Sequence, residues 1–333
     1  MISIRSAVKQ SALSAFALAG VHKWLLRRAA GKLGVLCLHG VSMGHNPYNA
    51  PLHPRHLDEL LRFLNRRAYV RGLRDEPVKR ADRPEIVVSF DDGYRNFVDD
   101  AMPILKKYGV RSNQNIIPAS VEGGKPSWEV ELGDVMVAAP VEKLALIALP
   151  GLLLRREIRS DDQKARFANQ LAIFLKRRTP DERAPLLAEV WRALASVEYQ
   201  PTKMMTRDDV IACAREHDIG AHSWSHEAME WQSETFFDED TDRCAEYFEK
   251  RLGLAMDIYS FPSGSYRPWH VNRLREKGMK HILLVETQWV DGEGDTYARL
   301  PIAATSRAET MLQAVGFRSR GTMLRSSVTT PSG

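Results

Sequence analysis

Four side chains carry the chemistry this sequence points to. Asp91 and Asp92 sit directly behind the apolar run Ile86-Val87-Val88-Ser89-Phe90, and His222 and His226 behind the short strand-like segment Asp218-Ile219-Gly220-Ala221. Carboxylate oxygen and neutral imidazole nitrogen, with no thiolate in the set, suit a zinc-like divalent ion that keeps open positions for water and substrate. The set therefore reads as a catalytic centre and not a structural one. Adjacent side chains on a strand point to opposite sides, so the two aspartates divide the labour unless the chain turns sharply, which Gly93 permits. One carboxylate would bind the ion, and the other would stand free beside the water as general base. The spacing in His222-Ser223-Trp224-Ser225-His226 predicts both imidazoles on one side of a helical turn.

Residues so far apart need a scaffold that brings them together. From residue 35 onward short apolar runs alternate with helix-period stretches, the pattern of a parallel sheet or barrel. Strands are expected at Val35–Leu38, Ile86–Phe90, Ser112–Ile117, Ile219–Ala221, Ile258–Phe261 and His281–Val285. Helices are expected at His56–Arg67, Phe97–Tyr108, Asp238–Leu252 and Trp269–Lys277. In such a barrel all strand C-termini open on one face. His39, Asp91, Asp92, His222 and the turn Pro262-Ser263-Gly264 each follow a strand, so they are expected to converge there. Residues 127–200 break the alternation with long, charged, helix-favouring sequence and read as a helical insertion beside the mouth. The expected organisation is a basic N-terminal helical segment (1–32), a barrel in two pieces (33–126 and 201–317), the insertion between them and a disordered Ser/Thr/Arg-rich tail (318–333).

Composition narrows the class. A chain of 333 residues with 44% hydrophobic and 27% charged side chains is an ordinary globular protein with room for one large α/β domain plus an insertion. Its net charge of +5 comes from residues 1–32, which hold Arg5, Lys9, Lys23, Arg27, Arg28 and Lys32 and no acid; in the remainder 41 cations face 42 acids. The body thus has no basic signature for nucleic acid, while the N-terminal segment could lean on an anionic membrane surface. Cys37, Cys213 and Cys244 are odd in number and widely spaced, which predicts reduced buried thiols and favours the cytoplasm. Residues 1–20 superficially resemble a signal peptide, leaving secretion open. Interrupted by Ser11 and Ser14, they read better as an amphipathic helix running into Trp24, Leu25 and Leu26. The most apolar run, Leu144–Leu154, is broken by Pro150-Gly151 and is too short for a membrane span.

The chain resembles the polysaccharide deacetylases of the NodB homology group, metal-dependent hydrolases of N-acetyl groups on sugars. Ser89-Phe90-Asp91-Asp92-Gly93-Tyr94 matches the first motif of that family and His222-Ser223-Trp224-Ser225-His226 the second. The resemblance implies a distorted, incomplete (β/α) barrel with a helical insertion. It makes Asp91 the general base and Asp92, His222 and His226 the ligands of a divalent metal, zinc being the first choice. Phe261-Pro262-Ser263-Gly264 looks like the third motif, whose turn supplies a backbone N–H to the oxyanion; Tyr94 joins Pro262, Ser263 and Gly264 as an expected substrate or oxyanion residue. Leu36-Cys37-Leu38-His39-Gly40-Val41 looks like the opening strand of a permuted branch, seen in exopolysaccharide and poly-N-acetylglucosamine deacetylases, and implies that His39 is the general acid. A plainer reading makes His39 a satisfied core histidine at a strand end. The implied substrate is an N-acetylated glycan or glycolipid.

The sequence departs from that pattern in places. Ser260 stands where the third motif often carries an arginine that holds the catalytic aspartate, and Arg267 and Arg299 are both open as replacements. Ser263 replaces the usual aromatic, and Arg299-Leu300-Pro301-Ile302 resembles the closing element only loosely. Two further readings follow: a deformylase or deacetylase of a lipid-linked or nucleotide-linked amino sugar at the membrane face, and a noncatalytic metal- or glycan-binding protein.

Overall fold

The computed structural model describes residues 4–44, 48, 50–78, 82–152, 158, 160–292 and 294–317, without the side chains of residues 4–7, 161 and 162. The tail expected at 318–333 lies outside them. Among the described residues nine short strands form one sheet: β1 (Leu33–Leu38), β2 (Tyr69–Val70), β3 (Glu85–Phe90), β4 (Asn113–Ile116), β5 (Asp218–Ala221), β6 (Ile258–Ser260), β7 (His281–Leu283), β8 (Thr296–Tyr297) and β9 (Arg299–Pro301). Their order is β8-β7-β6-β5-β4-β3-β1-β9, with β2 added on β3, and every pairing between them is parallel. The two ends of this order are one stretch of chain, because Ala298 alone separates β8, which pairs with β7, from β9, which pairs with β1. By switching partners at Ala298 the segment nearly closes the sheet into a barrel.

Period-two alternation assigns each strand residue to one side of the wall. Leu36, Leu38, Ile86, Val88 and Phe90 face outward and share a core with Leu57, Leu60, Leu61 and Leu64 of the helix Pro54–Asn65. Leu33, Val35, Val87, Ile258, Leu283 and Tyr297 form a separate apolar plug inside. Towards the strand C-termini the inward positions continue as Cys37, Ser89, Asp91, Asn115 and Ser260, joined by Arg299 from the start of β9, all buried. The barrel is therefore apolar at its base and polar at its mouth.

The segment after β4 supplies the helices Trp128–Ala138, Val141–Leu144, Asp161–Lys176 and Pro180–Leu194. They pack around Leu132, Met136, Leu171, Leu175 and Val190, a cluster separate from the barrel's own core. A capping box between Thr179 and Glu182 starts the last of them.

Three expectations need correction, the first being the helix expected over Asp238–Leu252, which starts at Glu234 and ends as a π turn, Phe248–Leu252. The continuous helix expected over Phe97–Tyr108 begins as a π turn, Phe97–Ala101, and becomes α-helical only at Met102. Pro103 has no amide to continue the ladder, and the wider turn absorbs the break. The N-terminal segment is two helices, Ile4–Leu18 and Val21–Arg28, broken at Gly20 with φ 75°. The first packs along the helix Arg307–Gln313, where Lys9 pairs with Glu309 at 2.7 Å.

Gly220 marks where the interior has no spare volume: a Cβ there would lie 2.3 Å from Asn115 Oδ1 and 2.6 Å from Ile258 Cγ2. We expect Gly220→Ala to lower stability by roughly 1–3 kcal/mol through overpacking. Urea unfolding that matches wild type would show that the mouth can dilate.

Candidate active site at the barrel mouth

Asp91 is the first residue beyond β3, and its amide still joins the sheet by donating to Leu38 O at 2.9 Å. Asp92 and Gly93 then both adopt positive φ, 78° and 74°. The sharp turn thus begins at Asp92 itself and brings both carboxylates to the same mouth. A non-glycine residue in the left-handed region is strained and persists only where its surroundings hold it, a common condition at functional sites.

Asp91 is sealed among donors. Arg299 Nη1 donates to Oδ1 at 2.9 Å and to Oδ2 at 2.8 Å, and Asn115 Nδ2 donates to Oδ1 at 2.7 Å. The Ser260 hydroxyl lies 3.4 Å from both oxygens and Cys37 Sγ 3.7 Å from Oδ2. Burial pushes the carboxyl up, but Arg299, His222, His39 and the Asn115 amide together hold it well below the usual carboxylate range. Of the two arginines left open by the sequence, the one that pairs with Asp91 is therefore Arg299, from β9 across the barrel closure. Its Nε donates to Leu284 O at 2.8 Å, which fixes the guanidinium plane. Arg267 is exposed at the start of the helix Pro268–Glu276 and takes no part.

His222 follows β5 and donates from Nδ1 to Ser260 O at 2.8 Å, so Nε2 faces the mouth. Burial lowers its pKa to about 4, leaving a neutral imidazole at neutral pH. Asp92 Oδ1 is 3.5 Å from His222 Nε2 and 3.5 Å from His226 Nε2. One ligand atom from each of the three residues lies within 4.8 Å of the others. Asp92 Oδ1 is buried without a hydrogen-bond partner. A buried, orphaned carboxylate oxygen between two imidazole nitrogens fits a divalent cation in an O,N,N set, and a zinc-type ion suits these donors. Burial raises the Asp92 carboxyl, an effect outweighed by His39, His226 and His222, so Asp92 also stays below its ordinary range.

The helical turn expected for His222–His226 does not form. Ser223 and His226 have φ of 60° and 64°, and the segment is a loop. Its donors are taken from outside: Asp240 accepts from Ser223 Oγ at 2.9 Å and from the Trp224 amide at 3.0 Å, and Ser223 Oγ in turn accepts from the Glu227 amide at 3.1 Å. Burial raises the Asp240 carboxyl to about 7 against these hydrogen bonds.

His39, just past β1, is exposed, which removes the core-histidine reading. One side-chain atom each from Cys37, His39 and Asp91 lie within 4.8 Å of one another. Burial pushes the Cys37 thiol far up and keeps it protonated. Pro262–Gly264 forms a tight turn after β6 with Ser263 exposed at φ 55°. Tyr94 is only 3% exposed, packed with Val130 and Met204 in the seam between barrel and helical segment.

Sequence reasoning missed the contacts made by the helical segment. Glu129 Oε2 lies 3.5 Å from His226 Nδ1, and Lys176 Nζ lies 2.6 Å from Glu129 Oε1. Arg183 makes a buried two-pronged pair with Glu227, Nη1 to Oε2 at 2.9 Å and Nη2 to Oε1 at 2.5 Å. The one available signal was Glu227, an acid directly after the second histidine with no partner nearby in sequence.

Comparison with known proteins bears on the family and the fold. A family model described as polysaccharide deacetylase matches residues 197–282. No curated protein matches in sequence. Among solved structures, the deacetylase PplD of Streptococcus pyogenes, in complex with acetate, superposes with TM-score 0.53 at 15% identity, over 85% of this chain and 98% of that one. IcaB from Ammonifex degensii gives 0.52 at 14%, over 85% and 97%. BC0361, a polysaccharide deacetylase from Bacillus cereus, gives 0.52 at 13%, over 85% and 69%. At such identities the superpositions establish the fold. With the family model they bear out the resemblance to polysaccharide deacetylases and the distorted (β/α) barrel expected from it.

The Arg299–Asp91 pair yields a pH-dependent expectation. Arg299→Met leaves a buried carboxylate unopposed, a loss of roughly 3–5 kcal/mol at neutral pH. A depressed carboxyl pKa contributes stability above the unfolded value, near about 4, that is lost only as pH falls through the folded one. In the variant Asp91 takes up a proton sooner, so its deficit against wild type narrows as pH falls from 7 towards about 4. Urea unfolding at both pH values checks this; an unchanged deficit contradicts an ionised Asp91.

Proposed function

We propose that this chain is a metal-dependent hydrolase that removes N-acetyl groups from amino sugars of a polysaccharide or exopolysaccharide. The observation that carries the reading is the convergence of Asp92, His222 and His226 around a buried orphan oxygen, beside an arginine-held Asp91 and an exposed His39. The substrate class is supported by the motifs, by the family model and by neighbours that are themselves named deacetylases.

Asp92 Oδ1 and the two histidine Nε2 atoms would hold the ion. A zinc-type cation there supplies Lewis acidity towards water and the acetamide carbonyl. Asp91 takes the proton of the attacking water. Arg299 and Asn115 fix its orientation and keep it ionised beforehand. In this reading the Ser263 N–H is the donor to the developing oxyanion, because Pro262 has none and the Gly264 amide is taken by Phe261 O, and such a donor contributes roughly 3 kcal/mol. His39 protonates the leaving amine, and acetate and a free amino sugar depart. Arg299 occupies the role left vacant at Ser260, which favours turnover over the noncatalytic alternative.

Acetate release from N-acetylhexosamine oligomers, with and without chelator, tests the reaction. Asp91→Asn should lose about 100-fold or more in rate while keeping its metal, and His222→Ala should lose the metal in elemental analysis. Near-normal turnover in Asp91→Asn, or full occupancy in His222→Ala, would refute the assigned roles.

The N-terminal helices favour a companion proposal, that the enzyme works at an anionic membrane surface in the cytoplasm, where a lipid-linked amino sugar becomes a candidate substrate. Val8, Ser11, Ala12, Ala15, Phe16 and Leu18 are exposed and uncharged, and Trp24 is exposed among Lys23, Arg27, Arg28 and Lys32. Such a face suits a headgroup boundary. All three cysteines are buried and free, as a reducing compartment allows. The full chain should sediment with anionic but not neutral vesicles, and Leu18→Glu/Trp24→Glu should stay in the supernatant. Equal recovery of both proteins with anionic vesicles counts against it.

A further inference from the structure

The two histidines of the proposed metal site are oriented by different parts of the molecule. His222 finds its Nδ1 acceptor inside the barrel, in the carbonyl of Ser260. His226 has no such acceptor on the barrel. Its Nδ1 is buried without a hydrogen-bond partner, and the facing atom, Glu129 Oε2 at 3.5 Å, is also buried and unpartnered. Glu129 belongs to the first turn of the helix Trp128–Ala138, and its other oxygen is committed to Lys176 of the helix Asp161–Lys176. Nε2 of the same His226 ring is directed at Asp92.

Leaving a buried donor and a buried acceptor unmade costs about 1–3 kcal/mol per group, so two that face each other across a short gap are stabilised by closing it. A neutral imidazole that gives its Nε2 lone pair to a cation carries its proton on Nδ1. An acceptor at Nδ1 fixes that tautomer and the ring plane, and a carboxylate also raises the basicity of the ligating nitrogen.

We infer that Glu129 is a positioning residue for the metal: it accepts the Nδ1–H of His226, and through it the helical segment forms part of the metal site. The inference rests on the metal-site reading given above. Lys176 anchors the far oxygen, and the Arg183–Glu227 pair clamps the loop one residue further on. Arg183 also lies over the ring of Trp128, next to Glu129, at 4.7 Å. Both ties from the helical segment thus end at consecutive residues, His226 and Glu227.

Zinc affinity of the metal-free full-length protein, measured by competition with a chromogenic chelator, tests the role without reference to turnover. Glu129→Leu should weaken zinc binding about 10–100-fold, with Glu129→Gln, whose carboxamide oxygen still accepts, in between. Lys176→Met removes the same ion pair but keeps the acceptor, and should bind within about twofold of wild type, because the ligand's partner is retained. Thermal unfolding of the metal-free variants confirms that each is folded. Wild-type affinity in Glu129→Leu overturns the inference, as does a loss in Lys176→Met equal to that in Glu129→Leu, which would make the pair simple packing. Wild type that binds no zinc defeats the metal-site reading itself, and this inference with it.

Discussion

A guanidinium and a carboxylate sealed together inside the barrel set the terms for everything around them. Neither Asp91 nor Arg299 tolerates that burial alone, since an unpaired charge in such a place is strongly destabilising. The pair needs β9 beside β1, small polar neighbours on the inward positions, and donors for every remaining lone pair. Cys37, Ser89, Asn115 and Ser260 meet these needs, and Gly220 leaves the volume. The apolar plug of Val35, Val87, Ile258 and Leu283 lies beneath, so water has no path to the pair from below.

The second constraint is the loop after β5. A helix would satisfy its own amides, whereas here Asp240 takes the Trp224 amide and Ser223 bridges to Glu227. Freed from helical geometry, the loop can aim His222 and His226 at one carboxylate oxygen from two directions. It is held from the barrel side by Asp240 and from the helical segment by Arg183, with each of the two ring nitrogens 3.5 Å from Asp92 Oδ1.

Much of this was legible in the sequence because the informative signals were local. Apolar runs of a few residues followed by Asp-Asp-Gly or by a histidine fix both the strand and the position of its functional residue, and each expected strand appears within a residue or two of its place. What the sequence withheld was non-local or conformational. Asp91 could pair with Arg267 or Arg299 until the closing segment was seen to cross the barrel end. His222 to His226 has helical spacing, yet the loop geometry depends on Asp240, which lies on a later helix. Glu129 looked like one of many surface charges in a helix-rich stretch, and only folding of that stretch against the mouth brings it to His226. The π turn at Phe97 was hidden because its cause, a single proline, is usually read as a helix end or start.

Closure at Ala298 ties competence to completion. The guanidinium that makes a buried Asp91 tolerable arrives on the last strand of the sheet, more than 200 residues after the aspartate itself. Until that strand docks between β1 and the chain leaving β7, the mouth holds a carboxylate with no counter-charge, and the barrel has an open seam through which solvent reaches it. The same six-residue segment, Thr296–Pro301, both shuts the wall and delivers the charge. A partly folded chain therefore leaves Asp91 hydrated, and a dry, oriented carboxylate exists only in the finished molecule.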